Sequence, residues 1–296
     1  MVVRRLRVSR SLARSIHVQA IASAVGEGVI GVGDNAVRGE FRSVVKAQRT
    51  KGLAHLIEQW LHEPRLGACD NREDGMKIGI IGAGQIGGTL TRRLTKLGHE
   101  VCVANSRGPA SLAALAKETG AKAVEVREAA RAGEVVVVTI PEGKIPGLPK
   151  DLFDQVPKDT VIIDTGNYYP RQRDGRIADI EAGMTESRWV ANQLGRPVVK
   201  AFNNIYAKHL LELGRPAGSP GRIALPVAGD DARAKETVMG LVNELGFDPV
   251  DAGGLDDSWR QQPATPVYGT DFDAEGVRRA LAQASKERAP QFRATD

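Results

Sequence analysis

Periodic patterning of apolar residues begins at Met76. Lys77-Ile78-Gly79-Ile80-Ile81 is a short apolar run of the kind that fills a strand buried on both faces. Ile86, Leu90, Leu94 and Leu97 follow at spacings of four, four and three, which predicts an amphipathic helix stopped by Gly98. The alternation then continues. A strand is expected over residues 100–104, a helix over 111–119, a strand over 123–126, a helix over 127–132 and a strand over 134–140. Four consecutive valines, Val135 to Val138, suit a central strand, and Pro141 ends it. Two more strands, over 160–164 and 198–201, run into Thr165-Gly166-Asn167 and Phe202-Asn203-Asn204. Strands alternating with helices predict a doubly wound parallel sheet of the α/β class.

After a Gly- and Pro-rich stretch at 214–221, a strand is expected over 223–228. Asp230 or Asp231 then caps a helix carrying Val238, Leu241, Val242 and Leu245, which Gly246 ends. A strand over 249–251 and a last helix capped by Asp273 and carrying Val277 and Leu281 complete a smaller C-terminal α/β lobe.

Composition changes the picture mainly at the start. Residues 1–75 hold 12 Lys and Arg against 8 Asp and Glu, whereas the remainder is nearly neutral. A neutral body with 4% aromatic residues lacks the basic stripe and stacking rings of a nucleic-acid surface. Five arginines precede the first acidic residue, Glu27, a composition shared with organelle transit peptides. The plainer reading is a poorly structured extension or a mis-called start, and a folded partner module is the third. Leu53, Leu56, Ile57, Trp60 and Leu61 have helical spacing. No apolar stretch reaches the roughly 18 residues that span a bilayer, and Cys69 and Cys102 imply no disulfide framework. A cytoplasmic protein without a membrane segment is expected.

The chemistry-bearing motif follows the first strand. Gly82-Ala83-Gly84-Gln85-Ile86-Gly87 fits G-x-G-x-x-G. Gly82 allows a tight turn, Gly84 lets a pyrophosphate approach the backbone, and Gly87 permits close helix packing. The pyrophosphate would rest on the helix N-terminus. Its position between a strand and an amphipathic helix supplies the context that this short motif needs to mark a Rossmann dinucleotide site.

Cofactor choice is read at the end of the second strand. NAD-selective proteins place a carboxylate on the ribose there, and this chain has Asn105-Ser106-Arg107 instead. Ser106 can donate a hydrogen bond and Arg107 a charge-assisted fork to a 2′-phosphate, so NADP(H) is favoured. Three further strand ends, bearing Thr139, Ile140 and Pro141, Asn167, and Ala201, Phe202 and Asn203, should converge on the nicotinamide.

With these segments and Asp251-Ala252-Gly253 in place, the chain from about Met76 to Leu255 resembles the deazaflavin (coenzyme F420)-dependent NADP oxidoreductases. The resemblance implies that Ser106 and Arg107 hold the 2′-phosphate and that Ala201, Phe202 and Asn203 lie near the nicotinamide and the deazaflavin ring. It also implies hydride transfer between NADPH and a flavin- or deazaflavin-like small-molecule acceptor. The expected organisation is an extension over 1–75, an NADP-binding domain over 76–205 and an acceptor-side lobe over 206–296, with a homodimer as the prior for oligomeric state. The same fold resembles the cytosolic domain of metalloreductases and the N-terminal domain of pyrroline-5-carboxylate reductases. An NADPH-dependent imine or carbonyl reductase and a non-catalytic NADP(H) sensor are the alternatives. From Leu255-Asp256-Asp257 through residues 263–271 the sequence departs from the deazaflavin pattern.

Other chemistries are poorly served. The five histidines show no metal-ligand spacing, so no metal site is expected. His209 reads as a helix-surface residue or a proton donor, and Asp164 as a satisfier of loop amides or a base. Lys200 and Asn204 are four apart, as in 3-hydroxyacid dehydrogenases, but a lysine at a strand end need not face an asparagine beyond it.

Overall fold

The computed structural model describes residues 75–295, all within one compact unit. The arginine-rich opening and the helix anticipated over 53–61 lie outside the described residues. Six strands form one parallel sheet: β1 Lys77–Ile81, β2 Glu100–Ala104, β3 Lys122–Ala123, β4 Val135–Val138, β5 Val161–Asp164 and β6 Val199–Lys200. Their order, β3-β2-β1-β4-β5-β6, is the Rossmann arrangement anticipated from the alternating pattern.

Burial on both faces explains the continuous apolar runs. Ile78, Ile80, Val135, Val137 and Ile163 point into one core, while Ile81, Val136, Val138 and Ile162 point into another. All four valines of β4 are at most 1% exposed, and burying each is worth about 1.5–3 kcal/mol. Helix α1, Gln85–Lys96, packs Leu90 and Leu94 into the first core. Helices α2, Ala113–Thr119, and α3, Val126–Ala130, make the next crossovers.

Several boundaries differ from the pattern. The third strand, expected over 123–126, pairs only Lys122 and Ala123 with β2. The chain leaves the sheet because the Glu125 carbonyl accepts from the Glu128 and Ala129 amides, and Val126 opens α3. The fourth strand is trimmed from 134–140 to four residues, and the helix expected over 111–119 starts as a 3-10 turn, Pro109–Leu112. Cys102 is only half-buried, since β3 covers little of β2.

Two helices have no counterpart in the sequence reading, α4 Ala178–Glu181 and α5 Glu186–Leu194, whereas α6 Ala207–Glu212 carries His209, which reads from the sequence as a helix-surface residue. α5 buries Trp189, Val190 and Ala191 together with Glu186 and Ser187, and this polar pair interrupts its apolar stripe. Beyond α6, parallel strands β7, Ala224–Val227, and β8, Asp248–Asp251, form a second sheet. Helix α7, Ala232–Glu244, is capped by Asp231, whose side chain accepts from the Ala234 amide at 2.7 Å. Helix α8, Ala274–Gln283, is capped by Asp273. Lys200 and Ala228 exchange both backbone hydrogen bonds, at 2.8 and 3.1 Å, and so stitch the end of β6 to the end of β7. Leu225, Val227, Val238, Leu241 and Phe247 share one core with Leu90 and Leu94.

Among the described residues no helix is long and apolar enough to cross a membrane.

Candidate functional site

The glycine fingerprint builds an open cradle. Gly82 has a φ of 110°, which favours glycine, and its amide donates to the Ala104 carbonyl at 2.8 Å. A Cβ on Gly87 would lie 1.9 Å from the Gly82 carbonyl oxygen and 2.6 Å from the Thr139 Cγ2. The helix therefore meets the turn and the end of β4 at a distance that only hydrogen allows. At Gly84, nothing stands within 4 Å of where a Cβ would be. This residue is the N-cap of α1, and no side chain caps it or places an acid in the first turn. The Gly88 amide makes the first intrahelical bond, to the Gly84 carbonyl. The amides of Gln85, Ile86 and Gly87 are left without a helical acceptor, beside exposed Gly84 and half-buried Ala83. Such an end favours an anion.

The loop after β2 presents two more donors. Asn105 is buried; its Oδ1 accepts from the Arg107 amide at 2.8 Å and its Nδ2 donates to Ser111 Oγ at 2.9 Å. This turn leaves Ser106 and Arg107 exposed, and their side chains make no hydrogen bond or ion pair among the described residues. Asn105 is thus a positioning residue, and Ser106 and Arg107 are the groups open to a phosphate. The donor set fits an NADP(H) dinucleotide: uncapped helix amides for the diphosphate, a hydroxyl and a guanidinium for the 2′-phosphate, and no carboxylate between them.

The carboxyl ends of β4, β5 and β6 enclose a buried polar layer. Asp164 accepts from the Gly166 amide at 2.8 Å, Ser187 Oγ at 2.7 Å and Lys200 Nζ at 3.1 Å. Lys200, 1% exposed, also donates to the Gly166 carbonyl at 2.6 Å. Burial pulls its ammonium down, but the Asp164 and Glu186 carboxylates outweigh burial and hold it above its ordinary value. Glu142 follows Pro141 directly. It is fully buried, and neither carboxyl oxygen has a hydrogen-bond partner. Burial, then Glu186, push its pKa well above the usual glutamate range. Glu186 is paired with Arg288 at 2.8 Å.

Above this layer an amide network joins the strand ends. Asn167 Nδ2 donates to the Asn203 carbonyl at 2.9 Å, and Asn203 Nδ2 donates to Asn167 Oδ1 and to the Gln261 carbonyl. Gln261 Nε2 returns a bond to Asn203 Oδ1 at 2.9 Å. Thr139, Ile140, Pro141 and Asn167 are half-buried at the rim. Ala201 and Phe202 follow β6 at the same strand end, with their side chains buried in the core shared with β7 and α7. Phe202 holds a φ of 61°, a left-handed conformation rare for a non-glycine residue, and this turn aims Asn203 at Asn167.

The remaining candidates are engaged elsewhere. Lys200 is locked on Asp164, with no bond to Asn204. His209 lies on α6 with Nδ1 2.8 Å from Asp271 Oδ1. A cavity of about 510 Å³ opens beside Glu134, Thr160 and Val198 at the amino ends of the strands. It lies on the edge of the sheet opposite the cradle, and α/β folds bind dinucleotides at the carboxyl edge. Sequence reasoning missed Glu142, Glu186, Gln261 and Tyr268. Each acquires its surroundings from residues distant in the chain.

Comparison with known proteins agrees with the cradle. Residues 77–168 match the family model described as NADP oxidoreductase, coenzyme F420-dependent. The crystal structure of a hypothetical protein from Sinorhizobium meliloti is 32% identical, with a TM-score of 0.57, and the match covers 67% of this chain and 95% of that one. The Escherichia coli protein YjhV is 51% identical over 71 residues, 24% of this chain and 52% of that protein. Metalloreductase STEAP3 of Rattus norvegicus is 29% identical over 196 residues, 66% of this chain and 37% of that protein. This chain therefore spans about half of one curated relative and just over a third of the other.

Proposed function

We propose, from the match of residues 77–168 to the coenzyme F420-dependent NADP oxidoreductase family, that this chain transfers a hydride between NADPH and a planar flavin- or deazaflavin-like acceptor at the carboxyl ends of β4, β5 and β6. One observation carries the reading: the uncapped amides beside Gly84 and the unpaired side chains of Ser106 and Arg107 are open to anions, and together they match a dinucleotide bearing an extra phosphate. When bound, NADPH supplies the hydride. The chain's own residues then bind, orient and exclude water, a division of labour that requires no strong acid or base at the rim. The site fits that requirement, because Lys200 and Asp164 neutralise each other in the interior and Glu142 lies buried beneath them.

The test is NADPH oxidation by the purified full chain with coenzyme F420, riboflavin, FMN, a ferric chelate and pyrroline-5-carboxylate supplied separately. Turnover with the ring acceptors and none with the imine is expected. Turnover of pyrroline-5-carboxylate without flavin would make the protein an imine reductase. Saturable NADPH uptake with no acceptor consumed would make it a sensor.

A further inference from the structure

The sequence contains four tyrosines; the hydroxyls of Tyr169 and Tyr268 meet beside Asn167 at the rim, and Tyr206 lies next to Tyr268. Tyr169 and Tyr268 share a hydrogen bond although 99 residues separate them. Asn167 Nδ2 donates to the Tyr268 oxygen at 3.5 Å. Tyr206, 58% exposed, lies with its hydroxyl 3.0 Å from where a Cβ of Gly269 would be, next to Tyr268.

The rings are held from behind. Tyr169 sits between the Arg173 guanidinium, 5.1 Å from its centroid, and the Phe292 ring at 5.7 Å. Its amide donates to Asp174 Oδ2 at 2.8 Å. Tyr268 is fixed by the Gly269 amide, which donates to the Asn204 carbonyl at 2.8 Å.

Counting protons shows what this wall lacks. The Tyr169–Tyr268 pair owns two hydroxyl hydrogens and uses one in the bond between them. Asn167 does not take the second: it turns its NH2, a donor, toward Tyr268, and its oxygen is bonded by Asn203. The Tyr206 hydroxyl likewise has no acceptor among the described residues. Burial, then the neighbouring Tyr169, push Tyr268 above the ordinary phenol range. Two hydroxyl hydrogens therefore lie at the rim with no acceptor of the protein's own among the described residues, and a ligand edge that carries acceptor atoms complements them.

Resting on the hydride-transfer reading, we infer that Tyr169, Tyr206 and Tyr268 form the recognition wall for the acceptor and select planar rings that present carbonyl oxygens along one edge, as flavins and deazaflavins do. The three tyrosines are specificity-determining residues.

The test uses the full chain and its Tyr268→Phe, Tyr169→Phe and Tyr206→Phe variants, with NADPH titration, quenching of riboflavin fluorescence and steady-state kinetics as separate readouts. Loss of one such donor should raise the riboflavin Kd and KM about tenfold, with NADPH affinity unchanged. Riboflavin binding that is indifferent to all three substitutions would overturn the inference. So would a matching loss of NADPH affinity, or a wild-type protein that binds NADPH and quenches no flavin. A wild-type protein that takes up no NADPH would instead remove the functional reading beneath it.

Discussion

At the scale of single residues, Arg107 is the sharpest test of cofactor choice. Its guanidinium is exposed and unpartnered, held outward by the turn at Asn105, so its removal should disturb little of the fold. Arg107→Ala should weaken NADPH binding by about 1.5–3 kcal/mol, or roughly ten- to hundredfold, while NADH binding is unchanged. Equal losses for both cofactors in fluorescence titration would refute the assignment. Glu142 makes a different prediction. Its folded pKa is raised, so below the ordinary glutamate value of about 4.3 both folded and unfolded chains hold the proton. Above that value the unfolded chain releases its proton while the folded chain keeps it, and stability falls until the folded pKa is passed. Within that window the loss approaches about 1.4 kcal/mol per pH unit. Glu142→Gln should flatten this decline in urea unfolding followed from pH 5 to 9, and parallel curves for the two proteins would contradict it. The fingerprint was legible in the sequence because its residues act within a single turn. The layer around Glu142 and the Asn203–Gln261 pair, 58 residues apart, were not, since their chemistry exists only once distant strands meet.

Among the elements, legibility follows burial. β1, β4 and β5 are buried on nearly every side chain and appear as apolar runs. β3 has two residues and offers no pattern. α5 hides for another reason: Glu186 and Ser187 belong to its buried face and answer to Arg288 and Asp164 instead of to an apolar neighbour. Caps were easier to place, because Asp231 and Asp273 each bond an amide three residues ahead. Asp231→Ala should cost about 1 kcal/mol, read as a lower urea midpoint with an unchanged slope. An unaltered midpoint would mean that the cap contributes nothing to α7.

Across the whole molecule, a few arginines tie early elements to late ones. Arg93 of α1 donates to the Leu210 and Leu211 carbonyls of α6 and to the Leu245 carbonyl after α7. Arg188 of α5 bridges Asp230 at 2.8 Å and Asp256 at 2.7 Å. Arg93→Met keeps an apolar stem but strands three carbonyls, and should destabilise the protein by about 1.5–3 kcal/mol. Hydrogen exchange should then quicken at the ends of α6 and α7 before it quickens in β1 and β4. Uniform acceleration would mean that the bridge supports global stability alone.

The core that Leu90 and Leu94 share with Val227, Val238 and Phe247 has a consequence for how such a protein can diversify. A gene cut near codon 205 would yield two fragments with half an interior each, so recombination cannot hand this chain a ready-made partner half. The two stretches must instead fold together, each completing the other's interior.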